Sequence, residues 1–559
     1  MKRSTKSILF WLLGLAAIPF MLSCGAGDAP NFPSEVESTP AEDSIGERLF
    51  LDTRFAQFFA ANMTGVNQPL PAGDPAVDLV HTTNGSLPGP FAGQSINCRF
   101  CHFVTEFQGV AGAGNRTYAD YTTRSPLPRV LNTFDHTPRN SMQMVGSLQP
   151  HPGPVFLHFD GEFTDPVDLV ETTLTGRNFG WASDQHDQAV AHIAAIIRGD
   201  DGSDQLAKDR THGLSYSKLF LGKDSGIPSD VLIPAADRID VNTTSGQQIL
   251  ALVAKCISTY MGDLRFQHDE FERFMGSPYD VFLRVNHLPV QPNGGETIPQ
   301  YNQRLAKILD GLSNPIFIDG KYGAFQYHDQ PFQFGVTELA GLKIFLKAAS
   351  GATDGSQHAG NCAACHQAPN FSDFSFHNTG AAQEEYDAAN GAGAFASLAV
   401  PPKVDRHQNY DLYLPVTVSH PNASERFRQA AVAGSPQLAD LGLWNIYLNP
   451  DKPNPQTNLK SVICGTGQDC SVDQGLGNTI ARFKTPTLRD LEDSAPYFHN
   501  GSKARFNDVI EFYLNSSQLA RQGLLRNAPV EFQNMSLSED DVAALVAFLK
   551  SLTEDYDDA

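Results

Sequence analysis

Cys98-Arg99-Phe100-Cys101-His102 and Cys362-Ala363-Ala364-Cys365-His366 repeat one arrangement, two thiols three positions apart with a histidine directly after the second. Thiols at that spacing can add to the two vinyl groups of one porphyrin, and the histidine beside them reaches the iron as an axial ligand. The alternative is a four-cysteine zinc site. Zinc explains neither the histidine in each copy nor the placement of the copies in opposite halves of the chain. The sequence therefore points to two covalently attached c-type haems, held by Cys98, Cys101, Cys362 and Cys365, with His102 and His366 as iron ligands.

The remaining cysteines of the eight read differently. Cys464 and Cys470 close a short loop and suit a structural disulfide in an exported protein. Cys256 ends an apolar helical run from Gln247 and reads as a buried, inert thiol. Cys24 follows Met21-Leu22-Ser23, after Lys2, Arg3, Lys6 and an apolar run from Ile8 to Leu22. That run is short for a bilayer span, which takes about 20 residues. Residues 1–23 are expected to be a lipoprotein-type export signal, the alternative being an ordinary secretory signal cut nearby. A lipidated Cys24 would attach the protein to a membrane in the periplasm, with residues 24–43 as tether.

The elements that must position these groups are mostly helical. A helix is expected to open at Ser44-Ile45-Gly46-Glu47, which has capping-box spacing and carries Ile45, Leu49 and Phe50 on one side. After the first thiol pair, apolar helical stretches recur at residues 167–174, 188–197 and 247–260, closing a first haem domain over 44–271. A connector over 272–333 holds a helix near Tyr301 to Leu312. A second haem domain, 334–559, begins with a helix through Thr337 to Phe345 and ends with one capped by Ser538, with Val542, Leu545, Leu549 and Leu552 on one face. Inside it, residues 381–478 form a Gly/Pro/Asn-rich insertion with short ordered pieces. Strand-type alternation is scarce, so the expected class is mainly α, two c-type cytochrome domains with long loop insertions. The 559 residues carry 62 acidic and 40 basic side chains, a net charge of −22, which argues against a nucleic-acid partner.

The segments around the two motifs sharpen the reading. Gly46-Glu47-Arg48-Leu49-Phe50-Leu51-Asp52, Arg139-Asn140, Phe159-Asp160-Gly161, the run Asn370 to Asn378, Lys484-Thr485-Pro486-Thr487-Leu488-Arg489 and Ala495-Pro496-Tyr497-Phe498-His499-Asn500-Gly501 resemble the bacterial di-haem cytochrome c peroxidase family, to which MauG-type enzymes belong. The resemblance implies an N-terminal haem with an open position where hydrogen peroxide is cleaved, ligated by His102, and a C-terminal haem, ligated by His366, that passes electrons to it. It implies a small cytochrome or cupredoxin as electron donor and leaves room for a homodimer. It further implies calcium held by Asn140, Ser494 and Pro496, and His499 hydrogen-bonding near a haem propionate.

The chain departs from that family at several positions. Where peroxidases have a glutamine and a glutamate above the open haem and a tryptophan between the haems, this sequence has Leu169, Phe179 and Phe159. Asp168 and Glu171 are the nearest carboxylates; they either replace the proton shuttle or lie on a solvated helix face. An apolar pocket suits dioxygen or an organic substrate better than fast peroxide cleavage. The second ligand of the transfer haem, in peroxidases a methionine fourteen positions after the histidine that corresponds to His499, is Tyr513 here, as in MauG; the alternative is that Tyr513 fills core beside Phe512. A phenolate stabilises ferric iron and lowers the potential. His136, Met142 and Met144 are alternative caps for the first iron, with a surface position expected for His136. Three functions follow: a peroxidase using a small redox donor, a MauG-like or oxygenase-like oxidase of a protein or organic substrate, and a non-catalytic electron carrier, which requires both irons to be capped on both sides.

Overall fold

Two helix pairs of one design frame the haem-attachment turns. In the computed structural model, Ala41–Leu51 packs on Gly246–Asp263, and Val336–Leu346 packs on Glu539–Lys550. The described residues are 41–555 without 83–84, 89–90, 92, 103–125, 132–133, 327, 329, 352–353, 465–471 and 493. The signal, Cys24, most of the tether and Cys470 lie outside them.

Each pair crosses at a glycine. A Cβ on Gly46 would sit 2.0 Å from the carbonyl oxygen of Cys256, and one on Gly341 would sit 1.9 Å from that of Ala544. Both obstacles are backbone, so neither can swing aside. Gly341→Ala is therefore expected to cost about 1–3 kcal/mol, the usual penalty of overpacking. Urea titration reads this as a lower midpoint at unchanged slope, and an unchanged midpoint would show that the helices do not meet this closely.

The first helix starts earlier than the capping pattern implies. Ser44 lies within it, because Ala41 is a strong helix former and Glu42 and Asp43 suit the positive end of the helix dipole. Ala41 to Asp43 thus belong to the helix rather than to a tether. Asp43 is buried, and burial, followed by the charges of Asp263 and Glu47, pushes its pKa up to about 7. An acid whose folded pKa is raised costs stability as pH climbs from its unfolded value toward the folded one. Asp43→Asn is expected to remove that slope and to stabilise the protein by about 1–2 kcal/mol at pH 8, with little effect near pH 4. Equal stability of variant and wild type at both pH values would contradict this placement.

Other predicted helices appear at Pro166–Leu174, His186–Gly199 and Ile298–Asp310. Ser538 caps the last helix as expected, its amide and hydroxyl both donating to the Asp541 carboxylate at 2.7 and 2.9 Å. The β structure among the described residues comprises three two-stranded antiparallel pairs, the third joining Phe376–His377 to Phe483–Lys484. The fold is mainly α. No described helix is long and apolar enough to cross a membrane.

Residues 381–478 are more ordered than their composition implies. Short helices at Ala381–Asn390, Lys403–Gln408 and Gln456–Cys464 surround a core in which Trp444, Phe395, Leu414, Leu441 and Leu459 are all fully buried. Many of these core residues come from turns and loops, which carry no helical or strand period. Cys464 is disulfide-bonded, and Cys256 is buried with its thiol pKa raised by desolvation.

Candidate di-haem site

The two attachment motifs fold alike. Cys98–Phe100 and Cys362–Ala364 are each one 3-10 turn, closed by the His102 amide donating to the Cys98 carbonyl at 3.1 Å and the His366 amide to the Cys362 carbonyl at 2.8 Å. His102 Nδ1 lies 2.7 Å from the Met142 carbonyl, and His366 Nδ1 lies 3.1 Å from that of Phe371. A carbonyl only accepts, so Nδ1 carries the proton in both rings and Nε2 keeps its lone pair. Burial lowers both imidazole pKa values, which keeps the rings neutral. Neutral imidazole with a free Nε2 is the form that binds iron.

Burial also pushes the Cys98 and Cys362 thiols up to about 12, and no cation among the described residues counters this at either. The zinc alternative finds no support in this arrangement. Cys98 and Cys101 pack against the core of the first helix pair, whereas Cys362 and Cys365 line a separate cavity. Among the described residues, no cysteine belongs to a metal-type cluster.

That cavity fits a porphyrin. Cys362, Cys365 and His366 share its lining with Phe345, Ile510, Tyr513, Met535 and Leu549, which supplies thiols for the vinyls, imidazole for the iron and hydrocarbon for the ring faces. Tyr513 projects from the helix Phe506–Arg521 between Phe498, Phe512 and Phe532, whose ring centroids lie 6.0, 5.7 and 6.0 Å away. Its hydroxyl has no hydrogen-bond partner among the described residues, and burial, then the thiols of Cys365 and Cys362, raise its pKa. It lines the same cavity as Cys362, Cys365 and His366 and also packs against the core formed by Ala520, Leu525, Phe532 and Met535.

Around the first motif the surroundings are apolar. The core that receives Cys98 and Cys101 also holds Leu169, Phe179 and Met144, with Phe179 3% exposed. Asp168 and Glu171 lie on the helix Pro166–Leu174 but serve elsewhere: Asp168 is exposed and accepts from Asn454 at 3.1 Å, and Glu171 accepts from Gln247 at 3.2 Å. Both line a cavity of about 690 Å³ whose opposite wall is built by insertion residues such as Val416, Glu425 and Lys452. Cys98, Cys101 and His102 are not among its described lining. Burial, then the neighbouring Asp168, raises the Glu171 pKa. His136 is exposed, as expected for a surface residue. Met142 meets His102 through its carbonyl, on the proton-bearing side of the ring.

The remaining predicted residues gather at the tyrosine-lined cavity. Phe159 lines it and meets His499 edge-on at 6.4 Å, while His499 stacks on Phe483 at 3.5 Å. Asn140, Ser494 and Pro496 line it too. The Asn140 side-chain amide donates to the Pro496 carbonyl at 2.6 Å, and its backbone amide donates to His499 at 2.7 Å. Calcium takes oxygen ligands only, so holding it here requires the Asn140 amide turned over to present Oδ1.

One feature escaped the sequence reading entirely, a buried chain of charges. Arg139 grips Asp440 at 2.6 and 2.8 Å and Asp160 at 2.6 Å; Arg428 pairs with Asp160 at 3.2 Å and Glu162 at 2.5 Å; Lys452 pairs with Glu162 at 2.6 Å. Burial would raise the Glu162 pKa, but Arg428 and Lys452 hold it well below the usual carboxylate range. His158, Asp160 and Glu162 are close enough to suggest a metal cluster. Three cations already neutralise its carboxylates and would repel a metal ion. Arg139 and Asp160 lie in segments that stand out in the sequence, but their partners sit in the aperiodic insertion, where nothing in the pattern pairs them.

No protein-family model matches the chain. Among characterised relatives, cytochrome-c peroxidase IdrP2 of Denitromonas iodatirespirans is 26% identical over 230 residues, 39% of this chain and 45% of that protein. Cytochrome c551 peroxidase of Nitrosomonas europaea is 37% identical over 84 residues, 15% of this chain and 21% of that protein. Methylamine utilization protein MauG of Methylophilus methylotrophus is 39% identical over 70 residues, 12% of this chain and 19% of that protein. The chain thus spans less than half the length of the curated relatives it matches. Among solved structures, a MauG-like protein associated with microbial copper homeostasis aligns with a TM-score of 0.41 at 15% identity, covering 96% of each chain. The diheme peroxidase BthA from Burkholderia thailandensis E264 gives 0.41 at 15%, covering 95% of this chain and 92% of that one. Over parts of its length the chain is thus similar in sequence to cytochrome c peroxidases and to MauG, and both attachment turns are present in it.

Proposed function

We propose that the protein is a di-haem peroxidase. Cys98, Cys101 and His102 would hold one haem and Cys362, Cys365 and His366 a second, and the pair would supply the chemistry for reducing hydrogen peroxide to water with electrons from a small cytochrome or cupredoxin. The observation that carries this reading is the repeated turn in which each motif histidine commits Nδ1 to a carbonyl and keeps Nε2 for iron. The haems, when bound, supply the electron-transfer and peroxide chemistry. The chain's own residues set the conditions. The Met142 and Phe371 carbonyls fix the tautomer and raise the basicity of each ring. Leu169 and Phe179 keep the core beside the first motif dry. Residues 1–23 direct export, Cys24 carries a lipid anchor, and Asn140, Ser494 and Pro496 form a calcium site on the same reading.

Tyr513 in the second cavity, together with Leu169 and Phe179, favours a second reading, an oxidase acting on a protein or organic substrate. A single experiment separates them. Peroxide is mixed with the purified ferric protein and a reduced small cytochrome, and both absorbance spectra are followed. Steady oxidation of the cytochrome is the expected result. A spectral response of the protein without consumption of the cytochrome would overturn the peroxidase reading in favour of the oxidase, and no response at all would favour an electron carrier.

A further inference from the structure

Lys484 is held from three sides at the tyrosine-lined cavity. Its amide donates to the Phe159 carbonyl at 2.7 Å, its strand pairs with Phe376, and its ammonium donates to the Phe156 carbonyl at 2.7 Å. An ammonium has three protons to donate, and this is the one hydrogen bond it makes among the described residues. No described carboxylate pairs with it. The buried arginines Arg48, Arg139, Arg428 and Arg489 each meet an aspartate or glutamate, whereas Arg406, away from this cavity, donates to the Trp444 and Tyr447 carbonyls. Burial pushes the Lys484 pKa down to about 8. The titratable neighbour His151 adds no negative charge; after burial, Lys484 is among the causes that lower its pKa. A half-buried cation without an anion carries a desolvation cost, and the protein keeps one on the wall of a cavity it shares with Cys365, His366 and Tyr513.

We propose that Lys484 is the counter-ion of a propionate on the haem attached at Cys362 and Cys365, and that it raises that haem's reduction potential. The inference rests on the di-haem reading above. A porphyrin of this type brings two carboxylates into a pocket whose described lining otherwise offers largely hydrocarbon. A positive charge near the iron favours the ferrous state, which carries one charge less. At a separation of about 12 Å and an interior dielectric of about 20, the effect is about tenfold on the ferric/ferrous equilibrium.

The test is a spectroscopic redox titration of the purified holoprotein and two variants, Lys484→Met and Lys484→Arg. In Lys484→Met one of the two haem transitions is expected to move about tenfold toward ferric, about 59 mV for one electron. Lys484→Arg, which keeps the charge, should stay within about twofold of wild type. Two bound haems with unmoved transitions in Lys484→Met would overturn the proposal. If Lys484→Met fails to accumulate, resonance Raman spectra of wild type and Lys484→Arg decide: a propionate bending mode that differs between ammonium and guanidinium partners supports the pairing, and identical modes oppose it. Wild-type protein without covalent haem would overturn the di-haem reading itself, an outcome separate from these.

Discussion

Tyr513→Met is expected to raise the potential of one haem by on the order of a few hundred millivolts and to leave the other nearly unchanged. Tyr513 lines the cavity with Cys362, Cys365 and His366, and its hydroxyl finds no hydrogen-bond partner among the described residues. A half-buried phenol that opens into an apolar cavity leaves its hydroxyl available to a ligand bound there. A ferric haem iron held in this cavity would engage it, by favouring the phenolate form. Thioether sulfur instead favours ferrous iron, which sets the sign of the shift. Tyr513→Phe should leave that iron without its second protein ligand and turn its electron paramagnetic resonance signal high-spin. Unchanged potentials and spectra in both variants would return Tyr513 to core filling.

Arg139→Met is expected to destabilise the fold by on the order of 3–5 kcal/mol, because it strands buried carboxylates. Among the described residues, Asp440 would keep the Gly442 amide at 2.9 Å and the more distant His499, and Asp160 would keep Arg428 at 3.2 Å. Burial opposes ionisation of Asp440, and Arg139 overcomes it, so its folded pKa lies below the ordinary value. The pair's contribution is therefore present above the unfolded carboxylate pKa and is lost as pH falls through the folded one. In denaturant titrations Arg139→Met should lose most at neutral pH and less in acid. Adding Asp440→Leu should recover a large part of the loss, since a hydrophobic replacement removes the orphaned charge. A loss below about 1 kcal/mol would show that the network contributes little.

What the sequence disclosed depended on whether a signal was local. The attachment turns and the helices around Thr337 and Ser538 are set by residues within a few positions of one another, and their spacing exposes them, whereas Tyr513 is reached only through the family resemblance, fourteen positions after His499. The apolar character of Leu169 and Phe179 was likewise readable, since a count from Phe159-Asp160-Gly161 reaches both. Asp168 and Glu171 were named for nearness in sequence, but the helix turns them toward the insertion, and only three dimensions reveal that. Trp444 and its neighbours were hidden because turns bury them without a period. The chain from Arg139 to Lys452 joins residues hundreds of positions apart, so no local pattern contains it. Lys484 stood within a conspicuous segment, yet its lack of an anion appears only when every neighbour is known.

The central claim is that one polypeptide carries two haems, each stitched to its own turn. Mass spectrometry of the intact denatured protein, followed by peptide mapping, tests it most directly. Two porphyrins per chain are expected, one on the peptide with Cys98 and Cys101 and one on the peptide with Cys362 and Cys365. A chain from a haem-attaching host that carries none, or that carries one with the other pair of thiols free, would contradict it.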